Sequence, residues 1–127
     1  MTIDLERVRK IAQKVSEKYN LTVPVDLSVL IAAKCEYVEH KTLPVAIEAY
    51  TELDRNPPCI NILSKIYVRR KRFTIAHELG HIFIPWHNGV DTLRANDDGN
   101  SLLDRNEMEA NAFASELLLP EKWMKKA

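Results

Sequence analysis

The sequence predicts an α+β fold, a small antiparallel or mixed three-stranded sheet packed against helices. Three observations predict it. Apolar residues recur at helical spacing near both ends of the chain. Between them lie three short runs with strand character, two separated by a proline-rich turn. After the strands comes a longer helical stretch that contains His77-Glu78-Leu79-Gly80-His81.

Residues 4 to 19 place Val8, Ile11, Ala12, Val15 and Tyr19 on one stripe, with charged residues opposite. That is an amphipathic helix whose stripe belongs to the core. Pro24 interrupts it, and Asp26 is placed to cap a second short helix from Leu27 to Lys34, with Leu27, Leu30 and Ile31 inward. Cys35 to His40 is a short mixed strand, and His40 reads as an ordinary edge histidine. Val45 to Thr51 alternates, with Val45, Ile47 and Ala49 against Glu48 and Tyr50. Cys59 to Leu63 puts Ile60 and Ile62 on one face. Asp54-Arg55-Asn56-Pro57-Pro58 is a turn, so the last two strands form a hairpin.

The central helix runs from Ser64 or Lys65 to Ile84, with Ser64 as its cap and Pro85 as its stop. Arg69-Arg70-Lys71-Arg72 reads as a solvated face rather than a binding patch. Four cations in the first half of a helix oppose its dipole, so some should have acidic partners. Residues 88–103 read as a flexible loop, rich in Asn, Asp and Gly. A last helix runs from Asp104 to Leu118, Asp104 and Glu107 loosely fit a capping box, and Pro120 follows. Its buried stripe is Ala110, Phe113, Ala114, Leu117 and Leu118. Glu121 to Ala127 begins a helix-like pattern that the sequence does not complete.

The 127 residues suit one domain with a modest core, over 1–127. Eighteen Lys plus Arg balance eighteen Asp plus Glu, so the net charge is zero. Nothing in that balance asks for nucleic acid or an anionic membrane. No run of apolar residues is long enough for a membrane span. The start, Met1 to Glu6, lacks the features of a secretory signal. Cys35 and Cys59 form no CxxC pair, and two free thiols in a cytoplasmic protein are expected, with a disulfide as the alternative.

His77-Glu78-Leu79-Gly80-His81 is an HExxH motif. Residues four apart share a helix face, so the two imidazoles can hold one Zn²⁺. Zinc lowers the pKa of a bound water from roughly 16 to about 7. Glu78, one residue along, is placed to take that proton and pass it to a leaving amine. A catalytic zinc takes a third protein ligand and keeps one position open. His87 is one candidate, six residues past His81, but Ile84 stands where that spacing pattern carries a turn-forming Gly. A Glu from the last helix is the other. Glu107 and Glu109 both qualify, and they point about 200° apart around the helix. Glu107 lies four before Asn111, which could then support a His ligand; Glu109, on the other face, should lie closer to solvent. His87, Tyr67 and Tyr50 are candidate donors to an oxyanion. The strand Val45 to Thr51 offers an edge to an extended substrate.

The stretch from Arg72 to His81, RFTIAHELGH, followed by Glu107 to Pro120, EMEANAFASELLLP, resembles the ImmA/IrrE family of HExxH metallopeptidases. The two blocks fit the family pattern RFTxAHExxH and then ExxAN-x-FA-x-x-LLxP. With the preceding helix and strands, the resemblance covers nearly the whole chain. It implies a zincin-like domain with zinc on His77, His81 and Glu107 and with Glu78 as general base. Mn²⁺ or Fe²⁺ suits the same donor set. Many members carry a further His four residues past the motif, where this chain has Pro85. The resemblance also implies a substrate: helix-turn-helix repressors, often of phages and mobile elements, whose cleavage or inactivation turns genes on. The chain has no helix-turn-helix pattern of its own, so the DNA-binding partner is a separate protein. Two other readings remain, a non-cleaving metal-dependent anti-repressor and a structural metal site. A structural site is usually closed by four protein ligands, and an open position argues against it.

Overall fold

The structure, a computed structural model, describes residues 5–87 and 101–120. Its elements are α1 (Leu5–Lys18), α2 (Leu27–Lys34), β1 (Glu36–His40), β2 (Ala49–Glu52), β3 (Cys59–Leu63), α3 (Val68–Phe83), a 3₁₀ turn (Pro85–His87) and α4 (Ser101–Leu118). The fold is α+β, as the sequence predicts. The loop read up to residue 100 and the pattern at 121–127 lie outside the described residues.

The sheet order is β1-β3-β2. β2 and β3 form the expected antiparallel hairpin, while β1 runs parallel to β3, so the sheet is mixed. β3 is the central strand because both its faces can be closed. Ile60 enters the main core, and Cys59, Asn61 and Ile62 are buried too. Asn61 remains satisfied: its Nδ2 donates to Glu52 at 3.0 Å and its Oδ1 lies 2.8 Å from His40 Nε2.

Val8, Ala12 and Val15 of α1 are buried, as their spacing requires. The α2 cap is as read: Asp26 Oδ1 accepts from the Ser28 amide at 3.0 Å. Leu27 and Leu30 are buried, and Ile31 is half-buried. Val8, Ala12, Val15, Leu27 and Leu30 meet Ala76 and Leu79 of α3 and Phe113, Ala114 and Leu117 of α4 in one core. Both cysteines are free, and burial pushes the Cys35 thiol up to about 11, so neither is a ready thiolate.

Three boundaries differ from the sequence reading. β2 begins at Ala49 rather than Val45, because Ala46 sits at φ 68 and a turn links Ile47 N–H to Pro44 O. Val45 is therefore exposed. α3 begins at Val68 rather than Ser64, because the Ser64 amide donates to His40 O and prolongs the sheet. Its cap, Tyr67, makes no side-chain capping bond. α4 begins at Ser101, so Asp104 lies within the helix and does not cap it. Two of the four cations have acidic partners, as their position calls for: Arg70 is paired to Glu48 and Lys71 to Glu39.

Gly80 sets how closely α3 and α4 approach. A Cβ there would stand 3.2 Å from the Phe113 ring and 3.3 Å from the Ala110 Cα. Gly80→Leu is expected to lower stability by about 1–3 kcal/mol through overpacking. Urea unfolding of wild type and variant, with equal slopes, measures it.

Candidate metal centre

α3 carries the HExxH motif and packs on α4, α2, β2 and β3. His77, Glu78 and His81 bring metal-binding atoms within 4.8 Å of one another. Helical periodicity does this, since His77 and His81 lie one turn apart on the side that faces α4. α4 completes the cluster. Glu107 Oε2 lies 2.7 Å from His77 Nε2, and its Oε1 lies 3.1 Å from His81 Nε2. Two carboxylates thus face the imidazole pair, and their partners differ. Glu107 bridges both rings and is partly exposed. Glu78 is buried, and its Oε1 accepts from Thr51 Oγ1 of β2 at 2.6 Å.

The outer ring nitrogens are also held. Asn111 Oδ1 lies 2.7 Å from His77 Nδ1, which fits the helix-face argument that put Asn111 on the side of Glu107. His87 Nδ1 lies 2.9 Å from His81 Nδ1. Ile84 takes φ −80 and ψ 111, so no left-handed residue is needed there, and the 3₁₀ turn carries His87 behind His81. Both His87 nitrogens are engaged away from the Nε2 pair: the second lies 2.8 Å from Glu109 Oε1. The structure therefore brings Glu107 to the cluster, and neither His87 nor Glu109.

Glu109 corrects an expectation. It is 2% exposed, not near solvent. α4 packs on α1 as well as α3, so the side opposite Glu107 is interior. There Trp86 Nε1 donates to Glu109 Oε1 at 2.8 Å, beside His87. His87 is fully buried and cannot meet an oxyanion in the cleft.

A cleft of about 350 Å³ opens over the motif. His77, Glu78, Glu107 and Asn111 line one side, and Ala46, Ile47, Glu48 and Ala49 line another, with Arg70, Phe73 and Thr74. Neither Tyr50 nor Tyr67 is part of its lining, so the two tyrosines named from sequence lose their geometric support as oxyanion donors.

Burial disfavours charge on His77, but the Glu107 hydrogen bond and the charges of Glu78 and Glu107 outweigh it and raise its pKa. Burial would raise Glu107, yet the two imidazoles it meets, His77 and His81, hold it well below the usual carboxylate range. His87 is lowered, chiefly by burial.

Residues 35–127 match the family described as the IrrE N-terminal-like domain, Peptidase_M78. The chain belongs to the ImmA/IrrE family. Over 60 residues it is 38% identical to a protein named Metallopeptidase ImmA from Bacillus subtilis (strain 168), a match covering 47% of this chain and 34% of that protein. Over 118 residues it is 27% identical to Uncharacterized immunity region protein 2 of Bacillus phage phi105, covering 90% of this chain and 69% of that protein. Thr51, Trp86 and the burial of Glu109 are features that sequence reasoning missed. Thr51 had only strand alternation to mark it, and that marks burial without naming a partner. Among the described residues of this ImmA/IrrE member, no helix is long and apolar enough to cross a membrane.

Proposed function

We propose that the chain is a zinc-dependent endopeptidase, cytoplasmic, that cleaves or inactivates a helix-turn-helix transcriptional repressor of a phage or mobile element. The observation that carries this is the convergence of Glu107 on Nε2 of both motif histidines, beside a buried Glu78 held by Thr51. The residues fit the metal. His81 Nε2 is buried and faces Glu107 Oε1 at 3.1 Å without forming a well-aligned hydrogen bond, as suits a nitrogen that would ligate a metal. Two imidazoles and one carboxylate are a donor set that catalytic zinc takes, so His77, His81 and Glu107 would hold it. When bound, zinc supplies Lewis acidity and lowers the pKa of water.

This chain's residues do the rest. Thr51 Oγ1–H fixes Glu78 Oε1 and so aims Oε2 into the cleft, where it takes a proton from the attacking water and returns it to the leaving amine. Asn111 Oδ1 accepts from His77 Nδ1–H and keeps the Nε2 lone pair directed at the cluster. β2 is an edge strand, paired only with β3 among the described residues. The turn that leads into β2, Ala46 to Ala49, lines the cleft, where Ile47 and Phe73 offer apolar contacts to a bound peptide. The relatives' names support this setting, one being called a metallopeptidase and the other an immunity-region protein.

The test mixes zinc-loaded protein with the helix-turn-helix protein encoded beside it and follows intact masses. Two fragments that sum to the partner plus one water, abolished by chelator and restored by zinc, are expected. An uncut partner that no longer binds DNA would replace the peptidase with a non-cleaving anti-repressor. Thr51→Val keeps the shape and removes the donor to Glu78. It should lower kcat roughly tenfold, about 1.4 kcal/mol, with KM and zinc content unchanged. Steady-state kinetics on a fluorogenic peptide spanning the cut site measures it.

A further inference from the structure

The family pattern leaves His87 without a task, and the geometry supplies one. Glu109 Oε1 lies 2.8 Å from both Trp86 Nε1 and His87 Nε2. An indole nitrogen only donates, so this oxygen is an acceptor, and His87 Nε2 carries the proton it accepts. The other nitrogen of a neutral His87 is then a lone pair. It stands 2.9 Å from His81 Nδ1, which must donate to it. A proton on His81 Nδ1 leaves Nε2 unprotonated, and Nε2 is the buried nitrogen that faces Glu107 without a well-aligned hydrogen bond. The relay is rigidly kept. Ile84, His87 and Glu109 are all buried, and Arg7 of α1 stacks on the Trp86 ring at 4.7 Å. We propose that Glu109 and His87 are positioning residues, a buried carboxylate–imidazole relay that fixes His81 as its Nδ1–H tautomer and so presents Nε2 to the metal. This rests on the metal centre proposed above and assigns two residues to it that touch neither metal nor substrate.

Two measurements test it. In wild type labelled with ¹⁵N-histidine, long-range ¹H–¹⁵N spectra should show His87 protonated on Nε2 alone and His81 on Nδ1, at pH 7.5. A His87 protonated on Nδ1 overturns the relay. The second compares His87→Gln with His87→Met, which have nearly equal size. Gln offers an oxygen to His81 and an N–H to Glu109, so the direction of the relay survives; Met fills the space and breaks it. Zinc affinity, read by competition with a chromophoric chelator, should fall about 10–100-fold in His87→Met and by much less in His87→Gln. A purely packing role predicts equal affinities or the reverse order, since Met fills the same volume. Equal affinities, or a weaker Gln variant, overturn the proposal. If wild type itself binds no zinc, the metal centre fails as a whole. The tautomers of the metal-free protein then still decide whether the relay exists.

Discussion

Replacing Glu78 by Gln is expected to lower the rate of partner cleavage by about 10²–10⁴-fold while leaving bound zinc at the wild-type level. The fold-change corresponds to about 3–5 kcal/mol of transition-state stabilisation. The substitution is nearly isosteric. A Gln oxygen still accepts from Thr51 Oγ1, now 2.6 Å from Glu78 Oε1, so the side chain stays in place. What is lost is the proton acceptor, since an amide nitrogen cannot take a proton from water. His77, His81 and Glu107 are untouched, so metal content separates a chemical defect from a collapsed site. Zinc by atomic emission and single-turnover cleavage on the same preparations provide both readouts. A Gln variant that cuts at the wild-type rate would remove Glu78 from the chemistry. Wild type and variant that both bind zinc, cut nothing and still release the repressor from DNA would mark an anti-repressor.

The parts of the fold that were legible in the sequence are those set by local periodicity. Asp26 as a cap and the β3 run from Cys59 to Leu63 fall where read. The misjudged ends depend on contacts between distant residues. Ser64 has the chemistry of a helix cap, but its amide is claimed by His40 O across the sheet. Val45 alternates with its neighbours as a strand residue would, yet the left-handed backbone at Ala46 turns the chain first. The parallel pairing of β1 with β3 has no signature in a five-residue strand.

The site divides in the same way. His77 and His81 are local to one helix, and Glu107 with Asn111 is local to another, so i,i+4 spacing exposes both pairs. Glu109 was misplaced because a helix with one functional face was assumed to have one wet face. α4 is instead packed between α1 and α3, and the Trp86–His87 turn closes over its second side. The bond between Thr51 and Glu78 joins residues 27 apart in sequence, where no period operates.

Zinc is expected to raise the melting temperature, and the rise should grow from pH 5 to pH 8. Metal and proton compete for the same atoms. Without metal, Glu107 Oε2 lies 2.7 Å from His77 Nε2 and favours the protonated imidazole there. The His77 pKa is raised, so its stabilising contribution is fully present below its ordinary value of 6.5 and is lost as pH rises through the higher folded value. Glu107 is lowered, so its contribution is present above its ordinary value of 4.5 and is lost as pH falls through the lower folded value. The metal-free protein therefore keeps both contributions between pH 4.5 and 6.5 and loses that of His77 above. Zinc needs His77 neutral, so its binding expels the proton and is weaker in that window than above it. As pH rises the metal-free state weakens and the zinc affinity climbs, and the two trends add in the melting difference. At a thousandfold excess over Kd, zinc stabilises by about 4 kcal/mol. Scanning calorimetry with and without zinc, repeated on Glu107→Gln, measures this. The variant lacks the anionic ligand, and its zinc shift should be small at every pH. A wild-type shift that does not change with pH, or one that survives intact in Glu107→Gln, would place the metal on other residues.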